Sequence, residues 1–138
     1  MQYSKVLVTG GSGFVGKRLQ QVKPFWDYVG TSDADLTDFG ECMDLLVGYK
    51  PDAVVHLAAR VGGIKENADN PAEFFLTNVS MNTNIVEACR KSGVKRLLSS
   101  LSTCAYPDVV SSYPYAEKDI LSGPPAKTNL PYGFSKRT

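Results

Sequence analysis

Lys5-Val6-Leu7-Val8-Thr9-Gly10-Gly11-Ser12-Gly13-Phe14-Val15-Gly16 begins as a short apolar run and breaks into spaced glycines. A run apolar on both faces suits a buried parallel strand. A helix is predicted from about Ser12, and it must stop near Pro24, since proline removes a helix hydrogen bond. Between strand and helix the glycines divide the work. Gly10 permits the tight turn, Gly13 lets backbone approach a pyrophosphate, and Gly16 lets the helix pack closely on the strand. The free N–H groups and dipole of a helix N-terminus favour that negative charge. The spacing is G-x-x-G-x-x-G rather than G-x-G-x-x-G, and glycines so placed can also serve turn geometry alone.

Outward from this stretch, strand and helix signals alternate. Residues 27–32 (DYVGTS) read as a second strand and residues 52–59 (DAVVHLAA) as a third. Between them, Asp38 with Glu41 forms a capping box for a helix through Leu45 and Leu46. The next helix has Asn70 as N-cap, Pro71 at the first position, Glu73 completing a box and Gly93 as stop. Along it Phe74, Asn78, Met81, Ile85 and Ala88 share one face. Residues 95–101 (KRLLSSL) read as a fourth strand. Pro107, Pro114, Gly123, Pro124 and Pro125 then make residues 102–130 mostly loop. The pattern predicts an α/β fold, a Rossmann-type doubly wound parallel sheet with right-handed crossovers.

The chain has 138 residues, enough for one domain. Fifteen Lys and Arg against fourteen Asp and Glu leave a net charge of +1, so no charge excess favours nucleic acid or an anionic membrane. No apolar run approaches the roughly 20 residues of a membrane helix, and no signal peptide is visible. Cys42, Cys89 and Cys104 form no C-x-x-C pair. Neither a disulfide framework nor a metal site is expected, and a reducing, cytoplasmic setting fits best.

Several residues invite a functional reading. Asp33 follows the second strand about 20 positions beyond the glycines and could take a ribose hydroxyl. Asp35 and Leu36 could instead flank an adenine, or these aspartates could be turn and cap residues only. Lys17 and Arg18 could meet a 2′-phosphate, but Thr31 and Ser32 offer no base, so NAD and NADP both stay open. Asn78 is polar within an apolar stripe, either a buried amide satisfied by local backbone or a support for a site. Tyr132 and Lys136 are four apart and share a helix face. A nearby ammonium is expected to lower the phenol's pKa, and Ser102 could hold a substrate carbonyl while Tyr132 donates a proton. His56, mid-strand, reads as a satisfied core histidine, and Cys42 and Cys89 as small buried apolar groups.

VTGGSGFVG, DADLTD, VVHLAARVGGI, LSTCAYPD and YGFSK, in that order, resemble the extended short-chain dehydrogenase/reductase family. The resemblance runs over essentially the whole chain. Residues 59–64 (ARVGGI) and Ser102-Thr103-Cys104 are its discriminating parts. It implies that Gly10, Ser12, Gly13, Phe14, Val15 and Gly16 hold the pyrophosphate of NADP, with NAD not excluded. Asp35 and Leu36 would lie by the adenine, Ala58 and Ala59 along the cofactor, and Asn78 would support the site. Ser102, Tyr132 and Lys136 would form a reductase triad, with Lys136 also on the nicotinamide ribose. Cys104 would move protons in a 3,5-epimerisation of a GDP-linked 4-keto-6-deoxy sugar. On the residues alone, Cys104 reads as a small buried group. Other expectations are a homodimer, with the helix from Asn70 to Ser92 as candidate interface, and no metal, nucleic acid or membrane. Another nucleotide-sugar epimerase or dehydratase, or a non-catalytic nucleotide-binding module, are the alternatives.

Family members are much longer. The chain is therefore read as the N-terminal part of a Rossmann domain, truncated after four strands and the start of the Tyr132–Lys136 helix, without the C-terminal substrate-binding region. It is expected to show no turnover by itself.

Overall fold

Val6–Thr9 form β1, and every one of these side chains is buried. In the computed structural model, which describes residues 3–110 and 113–138, β1 pairs in parallel with two strands. On one side lies β2 (Asp27–Val29), with Val8 opposite Tyr28. On the other lies β3 (Ala53–His56), with Val8 opposite Val55. A fourth parallel strand, β4 (Arg96–Ser99), adds to β3, giving the order β2-β1-β3-β4. The order reverses beside β1, the switch point where doubly wound sheets take ligands. β2 and β4 are the outer strands of this sheet, and the residues of β4 are largely exposed.

Contacts divide the chain into two units, Met1–Ala59 with Ser80–Ser100, and Arg60–Val79 with Leu101–Thr138. The first contains the sheet. Alternation sends Leu7 and Val54 to one face, where they meet Cys42, Leu45 and Leu46 of α2 (Phe39–Tyr49) and Ile85 and Ala88 of α4 (Pro71–Lys91). Val6, Val8 and Ala53 go to the other face, against Leu19 of α1 (Phe14–Val22), Trp26 and Tyr28. Helical residues thus cover both faces, as a buried parallel sheet requires.

The second unit has little regular structure: α3 (Ile64–Asp69), residues 71–79 of α4, 3-10 turns at Thr103–Ala105, Glu117–Leu121 and Lys127–Asn129, and α5 (Leu130–Ser135). Side chains stitch it together. Arg137 donates to the carbonyls of Ala105 at 2.6 Å and Gly123 at 2.8 Å.

Two predicted capping boxes form only in part. Asp38 accepts the Glu41 N–H at 3.0 Å, but the Glu41 carboxylate turns to the N–H of Asp35 at 2.6 Å. Asn70 ends α3 instead, its side chain donating to the Glu66 carbonyl at 3.3 Å. Glu73 pairs with Arg60 at 2.8 Å, because a full charge outcompetes a neutral N–H for a carboxylate. The glycine stop forms as expected: Gly93 has φ +72° and the Val94 N–H reaches the Cys89 carbonyl at 3.0 Å.

Candidate active site

In the first unit, the turn after β1 is shaped by what its glycines lack. Gly10 has φ +76°, and a Cβ there would lie 2.7 Å from Ala58 N and 2.9 Å from the Leu57 carbonyl carbon. A Cβ on Gly16 would press on the Gly10 carbonyl oxygen and lie 2.6 Å from that of Gly11. So α1 starts tight against the end of β1. Its N-cap, Gly13, provides no side-chain cap, which leaves the first N–H groups of the helix for an anion. Ser12, Phe14 and Val15 are exposed around it, Phe14 at 94%. An uncapped helix end under a glycine-rich turn fits a cofactor pyrophosphate.

Beyond β2, Asp33 accepts the Gly30 N–H at 2.7 Å. Asp35 accepts both the N–H and the hydroxyl of Thr37, at 2.9 and 2.7 Å, and the hydroxyl above all holds its carboxyl below the ordinary range. Leu36 is 7% exposed and belongs to the core, and its carbonyl accepts from the Asn84 side chain at 3.1 Å. Lys17 and Arg18 are exposed. His56 is buried between Thr9, 2.7 Å from its Nδ1, and Asn82, 3.2 Å from its Nε2. Cys42 and Cys89 are buried, and burial first of all pushes each thiol up to about 11. Both are poor nucleophiles.

In the second unit, α5 carries Tyr132, and Lys136 follows at its C-cap with its N–H on the Tyr132 carbonyl at 3.1 Å. Ser102 caps the turn Thr103–Ala105, its hydroxyl accepting the Cys104 N–H at 3.1 Å. That turn fits under Gly133, where a Cβ would lie 2.5 Å from the Cys104 carbonyl oxygen. Ser102, Cys104 and Tyr132 come together on one cavity of about 240 Å³, lined also by Val61, Gly62, Ile64, Asn67 and Asn129. Pockets for drug-sized ligands run from about 300 to 1,000 Å³, so this one suits a single ring.

The titration of Tyr132 departs from expectation. Burial raises its pKa and outweighs a hydrogen bond from Ser102 that acts the other way. Lys136 is 5% exposed, and burial pushes its ammonium down. The phenol therefore stays protonated through neutral pH, the form a proton donor needs.

Asn78 is 1% exposed and fully engaged with backbone. Its Oδ1 accepts the Arg60 N–H at 2.8 Å, and its Nδ2 donates to the carbonyls of Arg60 at 2.9 Å and Phe74 at 2.8 Å. It thereby fixes where the cavity wall starts. The Arg60 guanidinium lies 5.1 Å from the centre of the Phe74 ring and pairs with Glu73. The sequence reading picked out residues 59–64 but missed Asn67 and Asn129, whose role depends on cavity geometry rather than on a motif. Among the described residues no helix is long and apolar enough to cross a membrane, and no cluster could hold a metal ion.

Comparison with known proteins bears on the family and the fold. Residues 6–138 match the model of the NAD dependent epimerase/dehydratase family. The chain is 40% identical to a probable GDP-L-fucose synthase of Drosophila melanogaster and 39% identical to a GDP-L-fucose synthase of Dictyostelium discoideum. Each alignment covers 96% of this chain and 43% of the relative, so the chain spans less than half the length of these proteins. The crystal structure of a GDP-L-fucose synthetase from Naegleria fowleri bound to NADP superposes with a TM-score of 0.86 at 39% identity. It covers 99% of this chain and 46% of that one.

Proposed function

The chain belongs to the NAD dependent epimerase/dehydratase family, and on that premise we propose that it carries the cofactor turn and proton-transfer centre of an NADP-dependent enzyme. The reaction is 3,5-epimerisation and 4-reduction of GDP-4-keto-6-deoxy-D-mannose to GDP-L-fucose. The observation that carries this reading is the meeting of Ser102, Cys104 and Tyr132 on one ring-sized cavity. The NADP-bound relative and the uncapped glycine turn support the cofactor.

Each residue then has a chemical task. Gly10, Ser12, Gly13, Phe14, Val15 and Gly16 hold the pyrophosphate, Asp35 and Leu36 flank the adenine, and Ala58 and Ala59 line the cofactor. Asn78 fixes the backbone at Arg60, and Lys136 holds the nicotinamide ribose. Bound NADPH supplies the hydride. Protons at C3 and C5 are acidic because their loss gives an enolate delocalised onto the C4 oxygen. Ser102 and Tyr132 stabilise that oxyanion by hydrogen bonds. As a thiolate, the Cys104 sulfur takes a proton from one face of the sugar, and a solvent-derived proton delivered to the opposite face inverts the centre. Tyr132 finally gives its proton to the C4 oxygen as C4 is reduced. The three free cysteines fit a reducing compartment; the reading places the enzyme in the cytoplasm as a homodimer.

Two variants of the protein at its native length test this. Tyr132→Phe should slow reduction by about 10²–10⁴-fold while NADPH still binds. Cys104→Ser should abolish deuterium uptake from solvent at C3 and C5 and retain hydride transfer. Unchanged deuterium uptake would remove Cys104 from the epimerisation and favour another nucleotide-sugar enzyme.

A further inference from the structure

Asn67 sits in the cavity wall and is 4% exposed. Its Nδ2 donates to two backbone carbonyls, Gly62 and Gly63, each at 3.0 Å. These two bonds decide which end of the amide is which, since a flipped side chain would set its oxygen against two carbonyl oxygens. The Oδ1 is therefore the atom left over, and it is buried without a hydrogen-bond partner among the described residues. Buried polar atoms in folded proteins are almost always paired, so an orphan at a cavity points to a group that arrives later.

The chemistry of that group follows from the atom. An amide oxygen only accepts, so it rejects phosphate, carboxylate or carbonyl and takes a hydroxyl or N–H. The same cavity presents hydroxyl donors at Ser102 and Tyr132. A cavity with donors for a carbonyl and one acceptor for a hydroxyl matches a hydroxy-ketone ring. A 4-keto-6-deoxyhexose linked at C1 has free hydroxyls at C2 and C3 alone.

We propose that Asn67 is a specificity-determining residue whose Oδ1 accepts a hydrogen bond from a ring hydroxyl of the keto sugar. The proposal rests on the function proposed above. Because the oxygen is buried beforehand, the wall at residues 61–67 shifts onto the sugar as it binds. Backbone amide exchange in that segment should slow when the sugar binds.

The test compares NADPH-dependent reduction of GDP-4-keto-6-deoxy-mannose with that of its 2-deoxy and 3-deoxy analogues, in the protein at its native length. Wild type should prefer the parent over at least one analogue by about 10–100-fold in kcat/KM, as expected when a buried polar group is left unpaired. In Asn67→Ala that preference should fall to within about threefold. Asn67→Asp keeps an acceptor and loses both donors, so it should lose stability yet still discriminate. If the preference survives in Asn67→Ala, with all substrates slowed by one factor, Asn67 is only structural and the proposal fails. Should neither variant fold, a wild type that accepts both deoxy analogues as well as the parent also overturns it. A wild type that binds no NADPH and turns over no keto sugar would instead defeat the underlying function, a separate result.

Discussion

The turn after β1 and the cavity wall at residues 60–67 both bring backbone close to a ligand site, by opposite means. In the turn, Gly10 and Gly16 leave out side chains, and backbone packs on backbone. In the wall, Asn67 and Asn78 add side chains that reach back to the carbonyls of Gly62, Gly63 and Arg60. The first device leaves a periodic mark in sequence, although Gly10 packs on Leu57 and Ala58. The second joins residues up to 18 positions apart, as between Arg60 and Asn78, and leaves none. An omitted side chain tolerates no addition, whereas an added side chain fails by leaving polar groups unpaired. The two regions should therefore respond differently to substitution.

The largest effect is expected at Gly16→Val. Its new side chain would meet the Gly10 and Gly11 carbonyl oxygens, which are backbone and cannot swing away. Overpacking against backbone lies at the upper end of the usual range, about 3 kcal/mol, read as a lower urea midpoint together with lost NADPH binding. A well-folded variant that binds NADPH would break the comparison on the glycine side.

Asn78→Ala comes next, at about 2 kcal/mol, since it strips partners from the N–H and carbonyl of Arg60. Thermal unfolding reads the loss. Asn78→Asp keeps the acceptor for the Arg60 N–H and should recover part of it. Equal losses in both variants would mean that packing, not pairing, holds the wall.

A smaller change, about 1 kcal/mol, is expected for Arg137→Lys. A lysine keeps the charge but not the fork that spans the Ala105 and Gly123 carbonyls. Because Ala105 ends the turn that carries Cys104, deuterium uptake should drop more than NADPH binding does.

The smallest effect lies in the sheet unit, at Asp52. The Ser4 hydroxyl, then Lys95, holds its carboxyl down at about 2. An unfolded aspartate titrates near 3.9. The folded form therefore binds its proton less readily, and the contribution is complete above about pH 4 and lost as pH falls through about 2. Asp52→Asn should flatten stability over that window and leave it nearly unchanged at pH 7. A shift confined to neutral pH would show that the Ser4 and Lys95 contacts are not what the acid limb reports.

Much of the sheet unit could be read from residues alone. Short apolar runs, spaced glycines and a capping aspartate are local signals, and β1, α2 and the Gly93 stop follow them. The failures involve competition at a distance. Glu41 and Glu73 have several donors within reach, and sequence spacing cannot rank the N–H of Asp35 or the charge of Arg60 above the expected cap. The four-residue spacing of Tyr132 and Lys136 can be read from helix periodicity, but not the direction in which Tyr132 titrates. That direction depends on how much protein surrounds the phenol.

By itself, then, the sequence determined the strand–turn–helix at the glycines and the alternation of strands and helices that makes a parallel sheet, because each depends on conformational preference within a few residues. Only the tertiary structure decided that Ser102, Cys104 and Tyr132 share a cavity, that burial raises the Tyr132 pKa, and that the Asn67 oxygen has no hydrogen-bond partner among the described residues. Those outcomes depend on desolvation and on backbone groups brought together from distant parts of the chain.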